Sequence, residues 1–255
     1  MPDLLVWIYA GLVGAAVGSF LNVCITRWPE DESVVSPRSR CPQCGLAIGW
    51  RDNIPVVSWL LLRGRCRGCG ERISPLYPAV ELIVAVVWIA AAVRYGASWQ
   101  ALSVAVFFTL LVGIAATDAR TYIIPDEFTL GGLAIGLALA ALPGGITLTT
   151  ALIGSAVGFG VLYATAILGE WWLKKPAMGG GDIKMMAMVG AFLGPIGAVL
   201  TIFLGALVGS IIFGPISLKT RKLVPFGIFL AVGAAVTEGW GDLLVNWYTT
   251  SVLGL

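Results

Sequence analysis

Long apolar runs that almost lack charge limit what this chain can fold into. Residues 183–218 contain a single charged side chain, Lys184. Of the 255 residues, 58% are hydrophobic and 12% charged, whereas soluble domains contain about 25% charged residues. About 20 apolar residues are enough to cross the hydrocarbon core of a bilayer. The sequence therefore predicts an all-α polytopic membrane protein whose main solvent is the lipid bilayer.

We predict about eight transmembrane helices with a small polar module inserted after the first. Gly194–Pro195 interrupts the longest apolar run, because proline cannot continue a helix and glycine favours a turn. The expected organisation is a first helix at 1–26, a cytosolic module at 27–75 and a helical bundle at 76–255. The predicted spans lie near residues 4–25, 77–94, 99–117, 127–143, 147–169, 183–193, 196–217 and 225–245.

The basic residues indicate how the helices are oriented. The segment 27–75 holds eight of the sixteen Lys and Arg residues. With eight spans, the basic residues at the other span ends lie on the same side of the membrane as this segment, and Arg94 alone lies on the opposite side. By the positive-inside rule that side is cytosolic, so both termini are expected outside, on the periplasmic side.

Arg27, the first basic residue, follows the first apolar run, which we interpret as a retained helix and not a signal peptide. The net charge of +2 gives no indication of a nucleic-acid partner.

The chain contains no histidine, which narrows the possible chemistry. Serine–histidine and cysteine–histidine nucleophilic sites are excluded, and so are HExxH metalloprotease sites. Acid–base chemistry is therefore left to Asp, Glu, Lys, Tyr or Cys.

Two aspartates are expected at the cytosolic edge of the membrane, where ionisable groups are costly and are functional candidates. Asp118 ends the third predicted span, and Asp182 follows the glycines Gly179–Gly181 and opens the sixth. Two close carboxylates share one proton and can act as base and acid in peptide hydrolysis. The glycines would let the loop bring its carboxylate to the other aspartate. Two structural alternatives remain open: Asp182 as a helix N-cap, and Asp118 as an ion-pair partner of Arg120 or Lys184.

Two CxxC pairs lie in the polar module. Cys41 and Cys44 occur in CPQCG, Cys66 and Cys69 occur in CRGCG, and 21 residues separate the pairs. This arrangement is typical of a tetrahedral four-cysteine zinc site, which is structural because four thiolates leave no open coordination position. Disulfides are disfavoured on the cytosolic side, and a redox site needs only one CxxC. Cys24 is interpreted as a packing residue of the first span.

Several motifs occur in a fixed order along the chain. They are GSFLNVCITRWP at 18–29, CPQC at 41–44, RDNIPVVSWLLLRGRC at 51–66, CRGC at 66–69, ISPLYPAVEL at 73–82, TDARTYIIPD at 117–126, GGGDIK at 179–184 and LVPFGIFLAVGA at 223–234. This ordered set resembles the bifunctional type IV prepilin peptidases, or prepilin leader peptidase/N-methyltransferases, over nearly the whole chain. The GxGD motif alone is short and is shared with presenilin-like proteases, so the ordered set carries the resemblance.

The resemblance implies an aspartic protease of the bacterial inner membrane with Asp118 and Asp182 as its catalytic pair. The implied reaction removes the basic leader of type IV prepilins or type II secretion pseudopilins, cutting after a glycine on the cytosolic side. A methyl group then passes from S-adenosylmethionine to the new N-terminal amine. Some relatives that lack the cysteine module are thought to be peptidases only, so the four cysteines of this chain favour the bifunctional form.

Four polar residues within the matched motifs are candidates for methyl transfer or substrate contact: Asn22, Arg27, Glu81 and Lys184. The alternative for Asn22, Arg27 and Glu81 is that their hydrogen bonds tie the cysteine module to the bundle. Two other functions remain as alternatives. One is a peptidase whose zinc module only presents substrate. The other is a metal or ion transporter, which is disfavoured because transport sites lie near the bilayer midplane.

Overall fold

A computed structural model describes residues 2–175, 178–220 and 225–254 of the chain. Eight α-helices follow one another in these ranges, with 3₁₀ turns at Trp28–Glu30 and Trp50–Asn53. The helices are α1 Pro2–Arg27, α2 Val57–Leu61, α3 Leu76–Tyr95, α4 Trp99–Thr121, α5 Asp126–Ala140, α6 Leu148–Leu173, α7 Gly180–Thr220 and α8 Phe226–Ser251. The described part of the chain is therefore all-α, as predicted.

Six of the described helices, namely α1, α3, α4, α6, α7 and α8, are long and apolar enough to cross a membrane. The apolar helix α5 has only 15 residues, or about 22 Å at 1.5 Å per residue, which is shorter than a hydrocarbon core of about 30 Å. Gly194 has φ 71° and ψ −176° and divides α7 into α7a (180–193) and α7b (195–220). The predicted break at Gly194–Pro195 is thus confirmed, and α5 with the two parts of α7 completes the eight apolar helices expected.

The chain packs as two compact units, residues 1–113 and 114–255, which are divided within α4. In the first unit α1 and α3 lie against each other so closely that a Cβ on the facing glycines of α1 would crowd α3 atoms at 2.8–2.9 Å. These glycines are Gly11, Gly14 and Gly18. The indole Nε1 of Trp88 on α3 donates a hydrogen bond of 3.0 Å to Oγ1 of Thr109 on α4.

In the second unit α6 and α7a cross with their backbones in contact. A Cβ on Gly154 would overlap the carbonyl oxygen of Gly190, and a Cβ on Gly190 would overlap that of Gly154. One turn along each helix, Gly158 lies against the carbonyl of Met186. Lipid tails are as apolar as leucine side chains, so close packing through small residues is what holds membrane helices together. The glycine contact therefore fixes the position of α7a on α6.

The two parts of α7 form a helical hairpin. Ile124, just before α5, contacts both Gly181 at the start of α7a and Gly227 at the start of α8. α7b runs antiparallel to α8, and Oγ1 of Thr201 donates a hydrogen bond of 3.3 Å to Oγ1 of Thr237. Because α8 starts beside the start of α7a, the far end of α7b returns to that same end of the unit. One end of the unit thus gathers the starts of α5, α7a and α8.

We predict that Gly190→Val prevents close contact of α6 and α7a and lowers the melting temperature in detergent by about 2–6 °C, because overpacking costs about 1–3 kcal/mol. The matched control is Gly160→Val, also a glycine-to-valine change, at an α6 position where a Cβ meets no atom within 4 Å. Thermal unfolding followed by circular dichroism measures both. Equal melting temperatures for the two variants would contradict the packing role assigned to Gly190.

Candidate active site and cysteine centre

Asp118 lies in the last turn of α4, and its side chain is buried, at 4% exposure. Its Oδ2 accepts a hydrogen bond of 3.1 Å from the backbone N–H of Ile228, and the N–H of Gly227 also donates to the carboxylate. Both donors belong to the first turn of α8, where the unpaired N–H groups and the helix dipole favour a negative charge. The start of α8 therefore holds this carboxylate in place.

Asp182 is the third residue of α7, so the helix begins before it and it is not the N-cap that one reading of the sequence expected. Its carboxylate accepts a hydrogen bond from the backbone N–H of Gly179. An acidic side chain at the third helical position that reaches back to the N-cap N–H is the acidic half of a capping box. The glycine-rich loop thus closes on the Asp182 carboxylate.

Ile124 lies between the start of α7a, which carries Asp182, and the start of α8, which binds Asp118. A Cβ on Gly181, the residue before Asp182, would lie 2.9 Å from Cβ of Ile124. A Cβ on Gly227 would lie 2.7 Å from Cδ1 of Ile124 and 2.9 Å from Oδ2 of Asp118. The two carboxylates are close enough for Asp118 to act electrostatically on Asp182. The structure thus brings together the two aspartates that the sequence singled out.

Lys184 forms an ion pair with Asp126, the first residue of α5. Its Nζ lies 2.7 Å from each carboxylate oxygen of Asp126, and both side chains are partly exposed. The sequence left open a pair between Lys184 and Asp118, but Asp118 accepts its hydrogen bonds from α8 instead. The ion pair and the contact of Ile124 with Gly181 fasten the start of α7a to the start of α5 at two points.

The two CxxC pairs of the first unit form knuckles with the same backbone hydrogen bonds. The N–H of Gly45 donates to the carbonyl of Cys41, and the N–H of Gly70 donates to that of Cys66, each at 2.9 Å. Gly45 and Gly70 have φ of 70° and 74°, a conformation that glycine adopts without strain. Backbone N–H groups of Cys69 and Gly68 also donate to the Cys66 sulfur and lower the pKa of that thiol to about 7.

The four sulfur atoms lie within 4.8 Å of one another, in an arrangement that could hold a metal ion. Sγ of Cys41 is 3.8 Å from Sγ of Cys69, and Sγ of Cys44 is 3.9 Å from Sγ of Cys66. A disulfide requires about 2.05 Å, so neither pair is bonded. A tetrahedral zinc ion with zinc–sulfur bonds of about 2.3 Å places its ligands about 3.8 Å apart. The cysteine cluster therefore fits a tetrahedral metal.

Asn22 and Glu81 are both buried, and each bonds to backbone within the first unit. Nδ2 of Asn22 on α1 donates to the carbonyl of Tyr77 on α3 at 3.0 Å. Oε2 of Glu81 on α3 accepts a hydrogen bond of 2.7 Å from the N–H of Val56, which precedes α2. Val56 has φ 61°, an outlier for a β-branched residue, so Glu81 stabilises a strained turn. Glu81 thereby connects the module to a membrane helix.

Arg27 also has internal partners. Its Nη1 donates to the carbonyl of Ser33 at 2.8 Å and its Nη2 to the carbonyl of Pro37 at 2.7 Å. These hydrogen bonds fold the start of the module back onto the end of α1. The contacts of Arg27 and Glu81 are those expected if these residues tie the module to the helices, whereas the hydrogen bond of Asn22 joins α1 to α3. A part of the three residues in methyl transfer stays a prediction.

The sequence reasoning missed two residues that build the candidate active site, Gly227 and Ile124. The only signal for Gly227 is its place in LVPFGIF, after a proline that sets the start of α8. A side chain there would meet the Asp118 carboxylate. Ile124 lies in the matched motif TDARTYIIPD but carries no chemical group of its own, so nothing in the residue type indicates its position between the aspartate segments.

Two family models match the chain. The Bacterial Peptidase A24 N-terminal domain matches residues 12–95, which include the cysteine module, and the Type IV leader peptidase family matches residues 105–214, which include both aspartates. Among solved structures, none matches the chain significantly.

Several proteins similar to this chain are named prepilin leader peptidase/N-methyltransferase. The Aeromonas hydrophila protein is 36% identical over 97% of this chain and 96% of its own length. The Bacillus subtilis protein is 32% identical over 95% of this chain and 98% of its own. The Myxococcus xanthus protein is 43% identical over 73% of this chain. The matched region covers 56% of the length of that relative. The chain therefore belongs to the prepilin leader peptidase/N-methyltransferase family.

Proposed function

We propose that this chain removes the leader peptide of type IV prepilins or type II secretion pseudopilins and then methylates the new N-terminus. The observation that carries the proposal is the pair of Asp118 and Asp182 at one end of the second unit, in a member of this family. The proposed cleavage follows a glycine, and the proposed methyl donor is S-adenosylmethionine.

The proposed peptidase chemistry needs only the two carboxylates and water. Two carboxylates in one site cannot both ionise cheaply, so they share one proton. The ionised one removes a proton from the attacking water, and the protonated one gives its proton to the amine that leaves. The backbone N–H groups at the start of α8 keep the Asp118 carboxylate oriented, and the capping contact with Gly179 does the same for Asp182. The pair titrates as a unit, so the two roles belong to the dyad.

The charge distribution supports a location in the bacterial inner membrane with the dyad at the cytosolic side. Arg120 lies two residues after Asp118, and Lys174 and Lys175 follow α6, all on the predicted cytosolic side. The basic leader of a prepilin would then reach the dyad at the membrane surface, while the apolar segment behind the leader lies against the bundle in lipid. Prepilin and lipid are thus the two proposed partners.

We propose that the metal of the cysteine cluster is a structural zinc ion. Cys41, Cys44, Cys66 and Cys69 would hold it through four thiolates, which leave no coordination position for water or substrate. Bound zinc would supply folding energy to a module with few buried residues rather than catalysis. We propose the division suggested by sequence, with 1–26 as the first helix, 27–75 as this module and 76–255 as the peptidase bundle.

The contacts of the four candidate methyl-transfer residues do not define a binding site for the methyl donor. Asn22, Arg27 and Glu81 bond to backbone of their own unit, and Lys184 bonds to Asp126. We therefore propose the methyl-transfer activity from family membership and from the presence of all four cysteines, and assign no step of it to an individual residue.

The intact mass of the reaction product tests both proposed activities. Purified protein, incubated with a prepilin and S-adenosylmethionine, should yield a product without its leader and heavier by one methyl group, as measured by intact mass. Asp118→Asn and Asp182→Asn should each abolish leader removal, because asparagine can neither accept nor donate the required proton. Asp242→Asn on α8, where the aspartate is exposed, is the matched control and should cleave like the wild type.

The outcomes separate the alternative functions. Leader removal without added methyl would leave a peptidase whose cysteine module only supports substrate binding. Undiminished cleavage by both aspartate variants would overturn the dyad. Metal flux into proteoliposomes that contain the protein, with no cleavage, would favour the transporter alternative.

The ion pair of Lys184 with Asp126 fastens α7a, and its loss should weaken catalysis. Lys184→Ala should lower kcat for leader removal about tenfold or more, because a displacement of Asp182 by about 1 Å weakens catalysis strongly. The charge exchange Asp126→Lys with Lys184→Asp should recover part of that loss, whereas Asp126→Lys alone should not. KM for the prepilin should change little in each variant if the pair positions the dyad. A rise in KM alone would instead make Lys184 a substrate contact.

Metal analysis of the purified protein tests the proposed zinc site. The purified protein should contain about one zinc ion per chain by plasma mass spectrometry, as four cysteine ligands predict. Cys69→Ser should lose the ion, because serine is a poor zinc ligand, and Cys24→Ser is the matched control because that cysteine lies in α1, away from the cluster. Full zinc content in Cys69→Ser would show that this cysteine is not a ligand.

A further inference from the structure

An apolar stripe in the module is exposed although the module lies outside the membrane spans. Ile54, Val57, Leu60 and Leu61 have exposed fractions of 41, 48, 60 and 77%. Val57, Leu60 and Leu61 stand at positions i, i+3 and i+4 of α2 and so share one side of that helix, and Ile54 lies in the turn before it. Ser58 of α2 is buried instead. A contiguous apolar surface of this kind marks a contact with a partner or a membrane.

The contact of α2 with α3 sets the depth of this stripe. The N–H of Val56, just before α2, bonds to Glu81, which is five residues beyond Leu76 at the start of α3. Five residues correspond to about 7.5 Å along a helix axis. The next α3 residues, Leu82 and Ile83, are exposed on the surface of a membrane-spanning helix. α2 therefore lies beside the first turns of α3, at the level where that helix enters lipid.

Charge at both ends of the stripe fits the surface of a membrane. Arg51 precedes the apolar segment and Arg63 follows it, and both side chains are exposed. The module as a whole, residues 27–75, has eight arginines and five acidic residues. Arginines that flank an apolar segment can keep their aliphatic parts in the interface and reach anionic headgroups.

We propose that residues 54–62 form an interfacial anchor, which lies in the surface layer of the bilayer with Ile54, Val57, Leu60 and Leu61 in contact with phospholipid. Anionic phospholipid is the partner, because apolar contact and the flanking arginines both favour it over water. The proposal concerns the module's place on the membrane and does not depend on the peptidase or methyl-transfer activity.

The anchor is joined firmly to the cysteine cluster, so it sets the orientation of that cluster to the membrane. Arg67, inside the second knuckle, bonds to both carboxylate oxygens of Asp52 in the 3₁₀ turn before the anchor. The Arg67 guanidinium also keeps the pKa of Asp52 below its usual range. On the other side of the anchor, Nε1 of Trp59 donates to the carbonyl of Ile73 at 3.1 Å.

Photocrosslinking in liposomes tests the anchor. A diazirine analogue of leucine is placed at Leu61, at the adjacent but less exposed Leu62 as matched control, or at the exposed Leu82 of α3 as reference. Each full-length protein is reconstituted in phosphatidylethanolamine with phosphatidylglycerol and illuminated, and phospholipid adducts are counted by mass spectrometry. We expect the Leu61 yield to lie within about twofold of the Leu82 yield and about fivefold above the Leu62 yield, as for an interfacial helix.

Two results would overturn the proposal. One is a phospholipid yield at Leu61 no higher than at Leu62, which would place the stripe in water or against protein. The other is the replacement of phospholipid adducts by prepilin adducts when prepilin is added, which would make the stripe a substrate-binding surface. Lipid adducts that persist in the presence of prepilin support the anchor.

Discussion

The hydrogen bonds from the start of α8 to the Asp118 carboxylate are the contact around which the second unit is arranged. A buried carboxylate in a membrane helix is costly unless donors surround it, and the first turn of a helix supplies such donors. This contact requires a residue without a side chain at Gly227. Ile124 then fills the space beside it and reaches Gly181 in the first turn of α7a, which carries Asp182. Backbone N–H groups thus hold both carboxylates, from the first turn of α8 for Asp118 and from Gly179 before α7a for Asp182.

Close packing of helices places the second aspartate. In lipid, helices associate through van der Waals contact between small residues more than through exclusion of water. The mutual contact of Gly154 and Gly190 fixes α7a on α6, and the break at Gly194 sends α7b back toward the same end. A short α7a and a short α5 then start together, joined by Lys184 and Asp126. The position of Asp182 therefore depends on contacts spread over several helices.

The cysteine module is stabilised by different means. Most of its side chains are exposed, and Cys41 and Ser58 are among its few buried residues. A segment of this size cannot build a sufficient apolar core and needs a metal or other crosslink. The four clustered sulfur atoms fit that need, and the bond from Glu81 ties the module to α3. The module and the dyad belong to separate units, each with its own stabilising contacts.

The sequence by itself determined the fold class, the break at Gly194, the clustering of the four cysteines and the two aspartates as candidates, because apolar run length, proline, residue spacing and costly charge are local properties. It could not determine the partner of Lys184, the bonds of Glu81 and Asn22, or the need for Gly227 and Ile124. Those follow from which helix faces meet, and a helix in lipid is apolar on every side, so its sequence pattern does not indicate the face that packs. Only the tertiary structure, through the close approach of backbones at particular glycines, decided which side chains share a site.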